Sequence, residues 1–283
     1  MEYVIVMPAY NEEAFIALTL DSIVLQTVLP KHVVVVNDNS TDNTAAIVSR
    51  YSEKHSFISL VNTASQAVHL PGSKVIRAFQ KGFDTLDKRF DVIVKLDADL
   101  ILPSDYFEKV VQVFESDTKI GMAGGFAYVE KNGDWILENL TDKDHIRGAL
   151  KAYRKECFEQ IGGLRPAMGW DTADELLSKF YGWKVVTIPE LKVKHLKPTG
   201  ASYDKAARYK QGEAFYTLGY GFLITAIASA KLAMMKKKPL LFFDYLKGFF
   251  RAKSQKKPML VSVEQSKFIR RYRMANMQRK ILG

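Results

Sequence analysis

The stretch VIVKLDADLILP, residues 92–103, sets two aspartates, Asp97 and Asp99, into an otherwise apolar run. A short apolar run rich in Val and Ile reads as a buried strand, and the acids then fall at its carboxyl end. In extended backbone, residues i and i+2 point the same way, so both carboxylates aim at one place. Two like charges held so close raise one another's pKa unless a cation compensates. By itself the stretch leaves two readings open: a solvated strand end, or oxygen ligands for Mg2+ or Mn2+.

Upstream, strand and helix signals alternate. EYVIVMPAY, HVVVVNDNS and the weaker FISLVN read as strands; NEEAFIALTLDSIVLQT, TDNTAAIVSRYSEK and GSKVIRAFQKGFDTLDK read as helices. Asn11 is the expected cap of the first helix, and Thr41 or Asp42 is expected near that of the second. Such alternation predicts an α/β fold with a mostly parallel sheet flanked by helices, whose ligands sit outside the carboxyl ends of the strands. PAYNEE, NDNSTD and DAD each fall at such an end, so three polar loops converge on one edge. Further along, IGMAGGFAYVEKNGDWILE predicts strands joined by a turn at Asn132-Gly133. HIRGALKAYRKECFEQI predicts a helix or a strand-to-helix segment closed by Gly162-Gly163, and GWKVVTIPELKVKHL another strand.

PAYNEE at 8–13, NDNSTD at 37–42, VKLDAD at 94–99 and MGWDTADELLSKFYGWKVVTIPELKVKHLKPTG at 168–200 resemble, in order and spacing, the family 2 glycosyltransferases. The resemblance covers about residues 3–200 and implies a GT-A fold. It also implies a metal-dependent enzyme that moves a sugar from a nucleotide donor, a UDP-sugar by preference, with inversion at the anomeric carbon. Carried over residue by residue, it implies that Pro8, Ala9 and Tyr10 line the nucleotide pocket and that Glu12 lies near the ribose or base. It further implies that Asp38 accepts a hydrogen bond from the base, that Lys74 or Arg77 approaches from the other side, and that Asp97 contacts the ribose or a metal-bound water. Asp99 would bind Mg2+ or Mn2+ directly, with His195 completing the shell; Lys197 could instead reach the diphosphate.

The resemblance implies a catalytic base drawn from an acidic motif some eleven residues before a Gly-aromatic pair. Gly182-Trp183 is that pair, which points to Asp171, with Asp174 second; Trp170-Asp171 stands where the family has Glu-Asp. Each residue also has a plainer role open to it. Asp38 and Asn39 could form an Asx turn, Asn11 and Glu12 could start a helix, and Asp171, Asp174 and Glu175 could serve the dipole of a helix start. Trp170 and the IGGL turn would shape the acceptor pocket.

At 283 residues and 47% hydrophobic composition the chain can bury a substantial core. Its one cysteine, Cys157, excludes an internal disulfide framework and a thiolate zinc cluster, and MEYVIVMPAYNEE shows no secretory signal pattern. The net charge of +10 is uneven: residues 1–200 hold 23 Lys+Arg against 27 Asp+Glu, and residues 201–283 hold 18 against 4. We therefore expect a GT-A domain over 1–205, with a nucleotide half to about 100 and an acceptor half over about 101–205. A basic, apolar helical extension follows over 206–283. Residues 214–230 lack charge but are short for a span. The extension is expected to lie on the inner face of the cytoplasmic membrane, aromatics inserted and lysines on anionic headgroups. The acceptor would be a lipid-linked sugar or a surface polysaccharide precursor, with no nucleic acid involved. The alternatives are a nucleotidyltransferase on a similar sheet and a non-catalytic nucleotide-sugar-binding or membrane scaffold protein.

Overall fold

The structure, a computed structural model, describes residues 1–64, 72–138, 145–197 and 209–282, with side chains to residue 279. The expected domain boundary at 205/206 and the end of the 168–200 motif lie outside the described residues. Four strands form a parallel half-sheet: β1 (Tyr3–Ala9), β2 (His32–Asp38), β3 (Ile58–Thr63) and β4 (Val92–Leu96), in the order β3-β2-β1-β4. Their connections are α1 (Ile16–Val24), α2 (Thr44–Lys54) and α3 (Ser73–Thr85). Val4, Ile5, Val6 and Met7 are buried, as are Val33 to Val36 and Val92 to Val94. Strands enclosed on both faces need unbroken apolar runs, which is why these show no alternation.

Beyond β4 the sheet becomes mixed. β8 (Leu150–Arg154) pairs antiparallel with β4, β6 (Ile120–Lys131) antiparallel with β8, and β9 (Lys184–His195) parallel with β6. β7 (Asp134–Leu137) closes a hairpin on β6 through Asn132 and Gly133, both at positive φ (55° and 87°), as a two-residue turn of that hand requires. Interleaved are α4 (Tyr106–Ser116), α5 (Lys155–Gln160) and α6 (Trp170–Phe180). The 145–161 segment thus resolves into a strand running straight into a short helix.

β5 (Leu100–Ile101) stands last in the sheet order, against β9. Yet it follows β4 in the chain after only Asp97, Ala98 and Asp99. A flat sheet would place it four strand spacings away, about 19 Å, whereas that connection reaches at most about 14 Å. The sheet therefore curls back on itself, and the end of β9 arrives beside the two aspartates.

After residue 209 come α7 (Lys210–Thr217), α8 (Gly221–Met235), α9 (Leu240–Ser254) and α10 (Val263–Leu282). Gly219 and Gly221, both at φ +72°, break the uncharged 214–230 stretch into two helices. Among the described residues no helix is long and apolar enough to cross a membrane. Phe215, Leu218, Tyr220, Ile224, Phe249 and Ile269 join the same continuous core as the sheet strands.

Candidate functional site

Pro8 pairs with Val36 and Ala9 with Asn37, so β1 and β2 end level with each other. Ala9 is buried and Tyr10 stands exposed just beyond. Asn11 does not cap α1, whose first residue is Ile16. It takes the left-handed conformation (φ 53°) and ties two loops together. Its N–H donates to Ser40 Oγ at 3.0 Å, and its Oδ1 accepts the Thr41 N–H at 2.8 Å. Asp42, near the start of α2, accepts the Thr44 N–H at 3.0 Å, consistent with its expected place near that cap. Asp38 closes β2 as a buried residue and accepts from Thr63 Oγ1 at 3.1 Å. Lys74 is half-buried in the first turn of α3, and Arg77 is exposed further along it. Ser73 donates to the Pro166 carbonyl, which brings that helix start to the loop preceding α6.

The two aspartates do not share one direction, because β4 stops at Leu96 and the extended geometry ends with it. Thr19, fully buried on α1, holds the turn: its hydroxyl donates to the Ala98 carbonyl at 2.9 Å and accepts the Leu100 N–H at 3.0 Å. Asp97 turns back to the buried ammonium of Lys95. Asp99 meets His195 across the curled sheet, Oδ2 to Nε2 3.5 Å, while its backbone carbonyl accepts the Leu196 N–H at 2.9 Å. His195 Nδ1 lies 3.2 Å from Glu138 Oε2, which also pairs with Arg147 at 3.2 Å. Burial alone would lower the pKa of His195, but Asp99 and Glu138 carry it up to about 9.

Among the described residues, two oxygens at this edge are buried with no hydrogen-bond partner: Asp99 Oδ1 and Glu12 Oε2. The other Glu12 oxygen accepts from Lys197 at 2.8 Å. Burial raises the Glu12 pKa, and the nearby charges of Asp99 and Asp97 add to it against the pull of Lys197. Acids gathered at one edge with unmatched buried oxygens suit a divalent cation. Among the described residues no three His, Cys, Asp or Glu converge to hold an ion unaided. Asp99 would supply one side of a shell that phosphate oxygens and water complete, the pattern Mg2+ favours, and His195 would have to give up the proton it holds between Asp99 and Glu138 to join it.

The second half of the site is α6. Gly169, left-handed at φ +84°, precedes Trp170, and Asp171 lies in the first helical turn. The Asp171 side chain is 35% exposed and stands 3.7 Å from His145. Burial pushes its pKa up, but His145, Lys151 and Arg147 outweigh that and hold it at about 2. Asp174 differs: it is 2% exposed, pairs with the enclosed Lys151 at 2.8 Å and accepts from Tyr153 at 2.6 Å. Burial and neighbouring Glu175 raise its pKa to about 6 despite Lys151. Trp170 is buried, with the ammonium groups of Lys95 and Lys151 5.4 and 5.7 Å from its ring.

Sequence reasoning missed Lys95, Lys151, His145, Glu138, Arg147 and Thr19. For the two lysines a signal was present: each interrupts an apolar strand, in VIVKL and in LKAYR. For the others none was, because their role rests on which chain segments the curled sheet brings together.

Residues 4–167 match glycosyl transferase family 2. A probable glycosyltransferase of Bacillus subtilis, YdaM, is 39% identical over 56% of this chain and 42% of its own length. A dolichyl-phosphate β-glucosyltransferase of Trichomonas vaginalis, ALG5C, is 32% identical over 56% of this chain and 43% of its own. The chain therefore matches under half the length of these relatives. Among solved structures, a mannosyltransferase of Pyrobaculum calidifontis in complex with GDP-Man and Mn2+ superposes with a TM-score of 0.59. That superposition covers 95% of this chain and 78% of the other at 18% identity, a likeness of fold.

Proposed function

We propose that this chain, which belongs to glycosyl transferase family 2, moves a sugar from a nucleotide-diphosphate donor to a glycan or lipid-linked acceptor with inversion at the anomeric carbon, using a divalent ion at Asp99 and His195. The observation that carries the reading is the pair of buried oxygens, Asp99 Oδ1 and Glu12 Oε2, that have no partner among the described residues at the carboxyl edge of a parallel half-sheet. When bound, the ion offsets charge on the departing diphosphate. The base and ribose would lie over Pro8, Ala9, Tyr10 and Asp38, with Asp97 and Glu12 beside the ribose. Lys74 or Arg77 flanks the nucleotide, and Lys197 turns toward the diphosphate. UDP is our first assignment for the nucleotide; GDP, the nucleotide in the Pyrobaculum complex, is the competitor.

Asp171 is our choice of base. It is ionised at neutral pH, partly exposed, and held by His145. Asp174 is enclosed between Lys151 and Tyr153, which leaves it no approach to an acceptor. As the acceptor oxygen bonds to the anomeric carbon, its proton passes to an Asp171 carboxylate oxygen. The bond from that carbon to the diphosphate oxygen breaks, and its electron pair leaves with the diphosphate. The basic C-terminal helices would keep the enzyme peripherally on the inner face of the cytoplasmic membrane, where lipid-linked or polysaccharide precursors are at hand.

Release of nucleoside diphosphate from a panel of UDP-, GDP- and dTDP-sugars, with and without Mn2+, tests this. Wild-type turnover should require the ion, and Asp99→Ala should abolish both the turnover and its ion dependence. Asp171→Asn should lower kcat by roughly 10²- to 10⁴-fold at unchanged donor affinity. Full turnover in Asp99→Ala would sink the metal assignment.

A further inference from the structure

α8 and α9 form a hairpin whose open end is marked by Phe222 against Phe250, ring centroids 5.7 Å apart. Its closed end is the turn Lys236-Lys237-Lys238-Pro239, exposed throughout. Around that tip Met234 is 78%, Leu240 76% and Phe243 66% exposed, with Met235 also in solvent. Between the helices lies a cleft of about 530 Å³ lined by Ala230, Ala233, Met234, Lys237, Pro239, Phe242 and Phe243. That is a volume typical of ligand pockets, with apolar walls and one cation on them. From 221 to 254 the sequence carries seven Lys+Arg against one acid, Asp244.

Lys237 adds a conformational observation. It occupies the left-handed position that ends α8 (φ 52°), with its N–H on the Met234 carbonyl and the Lys238 N–H on the Ala233 carbonyl. Glycine or asparagine is usual at such a position, since a Cβ is unfavourable there. Lys256 takes the same position at the end of α9 (φ 49°), but only Lys237 places its side chain on the cleft wall.

We propose that this cleft takes one acyl chain of an anionic phospholipid at a bilayer surface, with the headgroup phosphate met by Lys236, Lys237 and Lys238. The inference names the lipid site behind the peripheral membrane association suggested above, and rests on that association only for its setting. An apolar patch rimmed by consecutive lysines matches a surface of hydrocarbon beneath anionic headgroups. A protein partner would have to satisfy three adjacent ammonium groups and an apolar cleft within one short turn.

Two readouts on the full chain test it. Sedimentation uses vesicles of phosphatidylcholine with and without phosphatidylglycerol; native mass spectrometry seeks a one-to-one phosphatidylglycerol adduct. Circular dichroism confirms folding of Ala230→Trp, which fills the cleft, and of Phe243→Asp at its mouth. The wild type should sediment only with the anionic vesicles and carry the adduct, and both variants should lose the adduct. Replacing Lys236, Lys237 and Lys238 by Gln should weaken vesicle binding roughly a hundredfold. Donor turnover should stay unchanged in all of them.

An adduct that persists in folded Ala230→Trp overturns the cleft site while leaving membrane association standing. An adduct lost in Ala230→Trp, from a wild type that ignores vesicles, supports the site and removes the membrane setting. Absence of the adduct from the wild type, or a dimer that Phe243→Asp dissolves, overturns the proposal.

Discussion

Lys151 is fully enclosed, and its ammonium meets Asp174 at 2.8 Å, Glu175 at 3.2 Å and the Asp171 carbonyl. Taking it away leaves the buried Asp174 carboxylate without a cation and Glu175 with His145 alone, which costs far more than the pair contributes. Lys151→Met should therefore lose about 3–5 kcal/mol in chemical denaturation. It should recover part of that loss as pH falls and the stranded acids protonate. His145 gives a pH slope of the same sign in a more alkaline window. Burial lowers its pKa, but Asp171 and Glu175 lift it from 6.5 to about 9. A raised folded-state pKa means that its contribution is complete below pH 6.5 and fades as pH rises through about 9. Unfolding free energy should fall across that window by at most about 3 kcal/mol, and His145→Gln should flatten the slope. A slope unchanged in the variant would place the titrating group elsewhere. Of this cluster, the family resemblance singled out Asp171 by its distance from Gly182-Trp183, and Asp174 as an acid close by. Lys151 showed only as a charge breaking an apolar strand, with no sign of its partners, and a lone histidine such as His145 carries no partner information until packing supplies it.

At the scale of elements, contact between helices depends on two glycines. A Cβ on Gly248 of α9 would come within 2.0 Å of the Tyr209 carbonyl oxygen, and one on Gly212 of α7 within 1.7 Å of the Tyr245 carbonyl oxygen. Backbone meets backbone at both points, so nothing flexible can give way. Gly248→Ala should cost about 1–3 kcal/mol by forcing α7 and α9 apart. Thermal denaturation would read this as a lowered midpoint; a wild-type midpoint would mean that the helices separate freely. The strands of the parallel half were legible because doubly buried strands must be continuously apolar. Cap positions were less so: Asn11 has the right chemistry for a cap, but two cross-loop hydrogen bonds took it instead.

For the molecule as a whole, one core runs from β3 through the sheet into α7, α8, α9 and α10, and Phe180 of α6 stacks edge-on against Phe268 of α10 at 5.5 Å. Unfolding should therefore be a single transition. Trp135, Trp170 and Trp183 all report on residues before 200, while far-ultraviolet ellipticity reports largely on helices, including the four after it. The two probes should give coincident melting curves, and separated midpoints would show that the C-terminal helices unfold alone. The sequence by itself determined the α/β class, the three polar loops at the strand ends and the basic bias of the tail, because periodicity, strand-end acids and charge counts are local properties. The tertiary structure alone decided that VIVKLDADLILP sends its two aspartates to different partners. The chain ends β4 at Leu96, and the short link to β5 forces the sheet to curl. That curl brings His195 to Asp99, and Lys95 folds back on Asp97. Contacts between residues a hundred positions apart depend on the path of the whole chain, and no local pattern encodes that path.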